Sequence, residues 1–329
     1  MATIADVAKY TGLSSATVSR VINDYPHVSE DKRKLVHDAM KELGYFPNTS
    51  ARNLRNRKTN VVAVLIPRLT NPFFTLILDG IERVAEGNGF QLIICQTKSS
   101  KKKEIDFLNL LQTKQVDGVI FTSIENEWDY IQPYTAYGPI ILCNEYHHEA
   151  TVPMVRLDQV QGSYLGTQHL IEKGHTKIAY CMGSTSGLSF DRRLGFFKAI
   201  EEAGIDMKSE WIFRDTYTME DGKRVFQQIL QLSDRPTAVF TGGDEVASAM
   251  VKEASKHGLH VPRDLAILGF DDQPIASLIE PELTTIYQPG DEIGARAMAV
   301  FIECLHGIRE RMSQAVIELP LSLVIRDST

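Results

Sequence analysis

The residues best placed to do chemistry in this 329-residue chain lie on one short segment near its start, Ser15-Ala16-Thr17-Val18-Ser19-Arg20-Val21-Ile22-Asn23. At helical periodicity Val18, Val21 and Ile22 fall on one side, while Ser15, Ala16, Ser19, Arg20 and Asn23 share the other. A small polar face with a single arginine can enter the major groove of DNA. The guanidinium reaches a guanine edge with two hydrogen bonds, and hydroxyls bond phosphates. Any one of these residues alone reads as solvated surface; together they read as a recognition helix. Catalysis finds no comparable signal. The chain has no G-x-G-x-x-G, Walker loop or H-E-x-x-H, and Gly183-Ser184-Thr185-Ser186-Gly187 carries Thr where a nucleophile elbow needs Ser. The expectation is a protein that is not an enzyme, with no cofactor and no metal.

The surrounding sequence supplies the elements that must hold this face. Thr3-x-x-Asp6 resembles a capping box with Asp in place of Glu and opens a helix with Ile4, Val7 and Ala8 on one side. Gly12 must end it, and Ser14 caps the next helix only a few residues later, which makes a helix-turn-helix. A third helix starts at a Ser29 cap with Glu30 and Asp31 in its first turn, places Leu35, Val36, Ala39, Met40 and Leu43 inward, and stops at Gly44. The stretch 45–59 is then too polar to bury itself. It carries four positive charges, with Leu54 between basic residues and Ala51 one turn back. By composition alone it fits a flexible linker as well as a DNA-contacting element.

Charge distribution agrees with a basic head on an acidic body. Residues 1–60 hold ten Lys/Arg against six Asp/Glu, or +4, whereas the remaining 269 hold 25 against 36, or -11. Only the head is therefore expected to meet a polyanion. With 43% apolar residues and a mean hydropathy of -0.15, the chain is a soluble globular one, long enough for two or three domains. No apolar run approaches the roughly 18 residues of a membrane helix, and the start lacks the pattern of a secretory signal, so a cytoplasmic location is expected. Cys95, Cys143, Cys181 and Cys304 lie far apart without a C-x-x-C pair and read as inert core thiols.

Beyond residue 60, apolar strands alternate with amphipathic helices. Strand candidates are 61–66, 91–95, 118–121 and 140–143, then a second set at 177–181, 238–240 and 265–268. Gly89, Gly174, Gly204 and Gly258 stand where helix C-caps belong. Near-continuous apolar strands alternating with helices imply an α/β body of parallel sheets covered on both faces, and two sets imply two lobes. Ligands of such sheets bind outside the strands' carboxyl ends, which here is the cleft between lobes.

The ordered motifs Thr3-Ile4-Ala5-Asp6-Val7-Ala8, Gly12-Leu13-Ser14, Thr17-Val18-Ser19-Arg20-Val21-Ile22-Asn23, Gly44-Tyr45-Phe46-Pro47-Asn48 and Ala51-Arg52-x-Leu54 resemble the LacI/GalR (lactose-repressor) family, and the match runs over the whole chain. The resemblance implies a helix-turn-helix domain at 1–46, a hinge helix and linker at 47–60, and an effector-binding and dimerisation domain at 61–329. That last domain would be a two-lobed periplasmic-binding-protein-like α/β fold with three crossovers, near Asp158, Gln288 and Pro320. Its amino lobe would combine about 61–158 with 289–319, and its carboxyl lobe about 159–288 with 320–329. Ser15 and Ala16 match base-reading positions and Arg20 a third. Thr17 and Ser19 match phosphate contacts, and Asn23 and His27 touch DNA beyond the recognition helix. Leu54, with Ala51 before it and Arg55 beside it, matches the leucine that wedges into the minor groove at the operator centre. The chemistry is coherent, because a wedge must be apolar to unstack bases and a short polar helix can fold on docking.

In the body the resemblance implies a sugar or sugar phosphate as effector. Arg192, in the R-x-x-G-F motif, and Asp271, in Gly269-Phe270-Asp271, become cleft groups suited to vicinal hydroxyls or, alternatively, an interlobe salt bridge. Of Phe73 and Phe74 one is expected in the core and the other against the ligand. Tyr217 matches an aromatic effector contact, and Asp158 either touches the ligand or caps the next helix. Gly243 departs from the Asn or Ser usual there, which leaves room in the cleft. No leucine-heptad tail follows Leu319-Pro320-Leu321-Ser322-Leu323-Val324-Ile325-Arg326, so a homodimer reading a pseudo-palindromic operator is expected, joined in part by the helix after Phe74. A catabolite-control regulator with a phosphorylated partner protein is the alternative; Ala299, where such a regulator would carry arginine, weighs against it.

Overall fold

The computed structural model describes residues 2–46, 58–183, 187–310 and 315–329. Two compact units emerge, Met1–Thr59 and Asn60–Thr329, so Ala51, Leu54 and Arg55 lie outside the described residues.

The head holds three helices, α1 (Ile4–Thr11), α2 (Ser15–Ile22) and α3 (Glu30–Glu42). Thr3 and Asp6 form the reciprocal capping box, and Gly12 closes α1 at φ 67°, a left-handed conformation natural to glycine. Val7, Val18, Val21, Val36 and Ala39 are buried together, with Ala8 beside them. Two expectations for α3 need correction. Leu35 does not point inward: it is 44% exposed, because a core this small covers only a narrow stripe and Leu35 lies at its edge. Ser29 occupies the N-cap position with extended backbone, yet its side chain makes no capping hydrogen bond.

The body consists of two six-stranded sheets. The first contains β1 (Val61–Ile66), β2 (Gln91–Gln96), β3 (Gly118–Phe121), β4 (Ile140–Cys143), β5 (Met154–Leu157) and β11 (Val316–Leu319), ordered β11-β5-β4-β3-β1-β2 and parallel throughout. The second contains β6 (Ile178–Cys181), β7 (Ile212–Phe213), β8 (Ala238–Phe240), β9 (Ala266–Asp271), β10 (Thr284–Tyr287) and β12 (Ser322–Val324), ordered β12-β10-β9-β8-β6-β7. The chain passes between the sheets after β5, β10 and β11. β5, β7, β10 and β11 were not among the apolar runs singled out above. They are short, and β11 alternates burial at the sheet edge instead of forming a continuous apolar run.

One strand breaks the expected parallel rule: β12 runs antiparallel to β10. The reason is geometric. Strands of both sheets end at the cleft, so a chain leaving β11 there and crossing by Pro320-Leu321 enters the second sheet at its carboxyl edge and must run away from it.

Helices cover both faces of each sheet. In the first lobe α4 (Pro72–Gly87) and α11 (Gly290–Leu305) pack side by side. A Cβ on Gly294 would stand 2.0 Å from the Ile77 carbonyl oxygen, so glycine is what permits this approach. The remaining helices are α5 (Lys101–Gln112), α6 (Trp128–Ile131), α7 (Gln159–Glu172), α8 (Gly187–Glu202), α9 (Met219–Gln231) and α10 (Asp244–Lys256). All four cysteines are buried free thiols, and burial pushes those of Cys95, Cys143 and Cys181 upward in pKa.

Candidate functional site

On the head, the α2 amino terminus is fixed by Ser14, whose Oγ accepts from the Thr17 amide at 3.2 Å. With Val18 and Val21 buried, Ser15, Ala16, Arg20, Asn23 and His27 are exposed, and Thr17 and Ser19 are half-buried. All seven positions are therefore at least partly open to solvent. Asn23 is also a local cap, its Nδ2 donating to the Ser19 carbonyl at 2.6 Å. Arg33 anchors the turn that follows: Nη1 meets Asp24 at 2.9 Å and Nη2 donates to the Tyr25 carbonyl at 2.6 Å. Tyr25 in turn lies 6.0 Å from the Arg20 guanidinium and edge-on to His27. Sequence reading missed Tyr25 and Arg33, because neither lies on the recognition helix.

In the body, the loops at the carboxyl ends of both sheets enclose a cleft of about 640 Å³. Arg192, on α8, donates through Nε to Gln159 Oε1 at 2.7 Å and through Nη1 to the Gly242 carbonyl at 3.0 Å. Its guanidinium lies 3.7 Å from the Phe270 ring centroid. Asp271, at the end of β9 with φ 102°, accepts from Gln273 Nε2 at 3.0 Å and Gln288 Nε2 at 2.6 Å. Gln159 Nε2 donates to Gln288 Oε1 at 2.8 Å, so a continuous chain links the arginine to the carboxylate through two glutamines. Each charged group is thereby fixed in orientation by neutral partners.

The expectation of an interlobe Arg192–Asp271 bridge is corrected. Both belong to the carboxyl-lobe sheet and its helices, and their closest approach is 4.0 Å. Contacts across the cleft are made elsewhere. Arg68, after β1, pairs with Glu245 at the start of α10 and donates to the Tyr217 carbonyl at 3.3 Å. Gln273 donates to Asn71 at 3.2 Å, and the Tyr146 hydroxyl to Asp191 at 2.8 Å.

Burial shapes the electrostatics. It lowers the Arg192 pKa, against the opposing pull of Asp271. It raises Asp271 to about 6 although Arg192 partly offsets it. Asp244, behind Asp271, is pushed well above the usual carboxylate range by burial and then by the Asp271 charge. Glu145, after β4, is raised to about 8 by burial.

Phe73 and Phe74 both reach the cleft wall, edge to face with centroids 5.8 Å apart; Phe73 is also a core residue. Tyr217 lines the mouth. Asp158 does not join them: it is exposed, caps α7 by accepting from the Gln161 amide at 2.9 Å, and is outside the cleft lining. Gly243 borders the cleft, and a Cβ there would have Asp271 Oδ2 as its nearest neighbour at 3.8 Å. Arg68, Glu145, Glu245 and Gln273 went unnoticed in the sequence. The signal that could have found Glu145 is its position directly after a strand that ends at the cleft.

Residues 3–48 match the bacterial regulatory proteins of the lacI family, and 59–326 match the periplasmic binding proteins and sugar binding domain of the LacI family. The chain belongs to the LacI family. It is 42% identical to the NTD biosynthesis operon regulator NtdR of Bacillus subtilis strain 168 over the full length of both. It is 33% identical to catabolite control protein A of Priestia megaterium over 99% of each chain. The lac repressor dimer bound to operator and the anti-inducer ONPF aligns with a TM-score of 0.87 at 26% identity, covering 99% of this chain and 98% of that one. The complex of the transcriptional regulator CelR with cellobiose aligns over the whole of both chains at 27% identity and a TM-score of 0.73. Membership of the LacI family makes this protein a DNA-binding transcriptional regulator: a helix-turn-helix head reads DNA and a sugar-binding-type body receives an effector. Among the described residues no helix is long and apolar enough to cross a membrane.

Proposed function

We propose that the protein is a cytoplasmic, homodimeric repressor of carbohydrate-metabolism genes whose operator affinity is set by a sugar-like effector held between the two lobes. Residues 1–46 read DNA, 47–60 form the hinge, and 61–329 bind effector and partner subunit. Ser15, Ala16 and Arg20 face bases, Thr17 and Ser19 face phosphates, and Asn23 and His27 extend the contact. In the hinge, Leu54 wedges the minor groove beside Ala51 and Arg55. Arg192 and Asp271 hold ligand hydroxyls, while Phe73, Phe74 and Tyr217 meet its apolar faces. Asp158 has the helix-capping role instead.

The observation that carries this reading is the pairing, in one cleft, of Arg192 and Asp271 with their orientation fixed through Gln159 and Gln288. A guanidinium and a carboxylate held this way offer donors and acceptors to adjacent hydroxyls, and the nearby aromatic rings suit a sugar's C–H face. The cellobiose complex of a full-length relative supports a sugar as the ligand class.

Thermal-shift measurement with sugars, sugar phosphates and nucleobases tests it. A ligand at one hundred times its Kd adds about 2.7 kcal/mol to native-state stability and raises Tm. The expected result is a shift with a sugar that also changes affinity for palindromic DNA. A response confined to nucleobases would overturn the proposal.

A further inference from the structure

We propose that the amino-lobe wall of the cleft, built by Glu145 and Glu125, receives a protonated amine, so that the effector is an amino-substituted sugar; this rests on the sugar-cleft reading above and narrows it.

Three cations line the cleft, Arg68, Lys98 and Arg192, against four carboxylates, Glu125, Glu145, Glu245 and Asp271, and Lys98 is exposed. Arg68 is paired with Glu245. Arg192 faces Asp271 and is engaged by Gln159 and the Gly242 carbonyl. On the opposite wall, Glu145 and Glu125 follow β4 and β3 and line the same cavity. Among the described residues neither has a cation within 4.0 Å, the separation that defines the ion pairs of this chain. Glu145 is 3% exposed and accepts from the Tyr146 amide at 3.2 Å; Glu125 accepts from the Ser123 hydroxyl at 3.3 Å.

A carboxylate at this depth is costly without a cation or several donors. The chain itself supplies backbone N–H groups to Glu145 and no positive side chain. Burial accordingly raises its pKa, the charge of Glu125 raises it further, and Arg192 lowers it only as a minor contribution. A neutral polyol does not change that balance, since hydroxyls supply no charge. An ammonium does: it carries three donors, forms charge-assisted hydrogen bonds and offsets one of the two negative charges. One end of the ligand then meets Arg192 and Asp271 through hydroxyls, and the other presents its amine to Glu145 and Glu125. A cavity of about 640 Å³ accommodates both ends.

The charged and titratable groups facing Glu145 are Glu125 from the loop after β3, Arg192 from α8 and the adjoining Tyr146. When an ammonium docks, the Glu145 carboxyl gives up its proton to buffer while the amine keeps its own. Binding near pH 7 therefore releases up to about one proton.

Isothermal titration calorimetry of the full-length protein tests this, using D-glucose, glucose bearing one amine at carbon 2, 3, 4 or 6 in turn, and the N-acetylated form of each. At least one amino isomer is expected to bind ten-fold or more tightly than both glucose and its own N-acetyl form. Its enthalpy should vary with the buffer's ionisation enthalpy. Glu145→Gln and Glu125→Gln should each reduce that preference at least five-fold. Amino and neutral sugars binding equally to the native protein would overturn the subsite and leave the sugar cleft standing. Retention of the full preference in both variants would also overturn the subsite. If no sugar of any kind bound, the sugar-cleft reading itself would fall.

Discussion

Replacing Glu145 by Gln should make this protein more stable at neutral pH, and the size of the gain follows from the cleft. The side chain is 3% exposed and has no cationic partner among the described residues, so its carboxyl is held at about 8 against an ordinary value near 4.5. Folding therefore favours the protonated form. The stability this confers is complete below about pH 4.5 and declines as pH rises to about 8; above that it is constant. Each pH unit in that window corresponds to about 1.4 kcal/mol. At pH 7 the native protein has thus lost on the order of 3 kcal/mol relative to a chain whose group cannot ionise. Glutamine keeps the shape and resembles the protonated acid, so Glu145→Gln should recover about 1–3 kcal/mol, after allowing for water in the cleft. For a body of this size that is roughly 3–10 °C in Tm. The assay is urea or thermal unfolding of both proteins between pH 5 and 8.5. The difference should be small at pH 5, widen steadily with pH and level off above 8. A variant equal to or less stable than the native protein across the range, with no pH dependence in the difference, would refute the argument that this carboxyl is buried without charge compensation.

Arg192→Ala or Asp271→Ala should abolish the effector's influence on operator binding while DNA affinity without effector stays within about two-fold; titrating ligand into labelled operator complexes by fluorescence anisotropy checks both. Leu54→Ala should weaken operator binding by roughly ten-fold or more if Leu54 has the proposed wedge role, with ligand affinity unchanged in calorimetry. Gly294→Ala should destabilise the body by about 1–3 kcal/mol, because its Cβ would stand 2.0 Å from the Ile77 carbonyl oxygen; a melting temperature within 1 °C of the native protein would contradict this close approach.

Particular residues show why some of this was legible in the sequence. Gly12 and the Thr3–Asp6 box act within a few residues of themselves, so a local reading recovers α1 and the tight turn into α2. Long apolar runs such as 61–66 need no context, because a strand covered on both faces is apolar throughout. The edge strand β11 fails that test: Val316–Leu319 alternates exposed and half-buried positions and gives no continuous run. The cleft divides in the same way. Arg192 and Asp271 sit inside recognisable motifs, whereas Gln159 and Gln288 gain their meaning only when two crossovers bring them 2.8 Å apart. Arg68 and Glu245 are 177 positions apart, and nothing local announces their pairing across the cleft. Leu35 shows the opposite failure, since helical spacing called for burial that a three-helix core is too small to provide.

The amino-terminal unit of this LacI-family regulator reads DNA sequence, and the cleft ligand governs how tightly it binds. Incubating the full-length protein with a pool of random duplexes, recovering the bound fraction over successive rounds at physiological salt and sequencing it tests this directly. The expected result is convergence on a pseudo-palindrome bound on the order of a thousand-fold more tightly than the starting pool, with that affinity changed by a sugar that also raises Tm. A pool that remained random after repeated selection would contradict it.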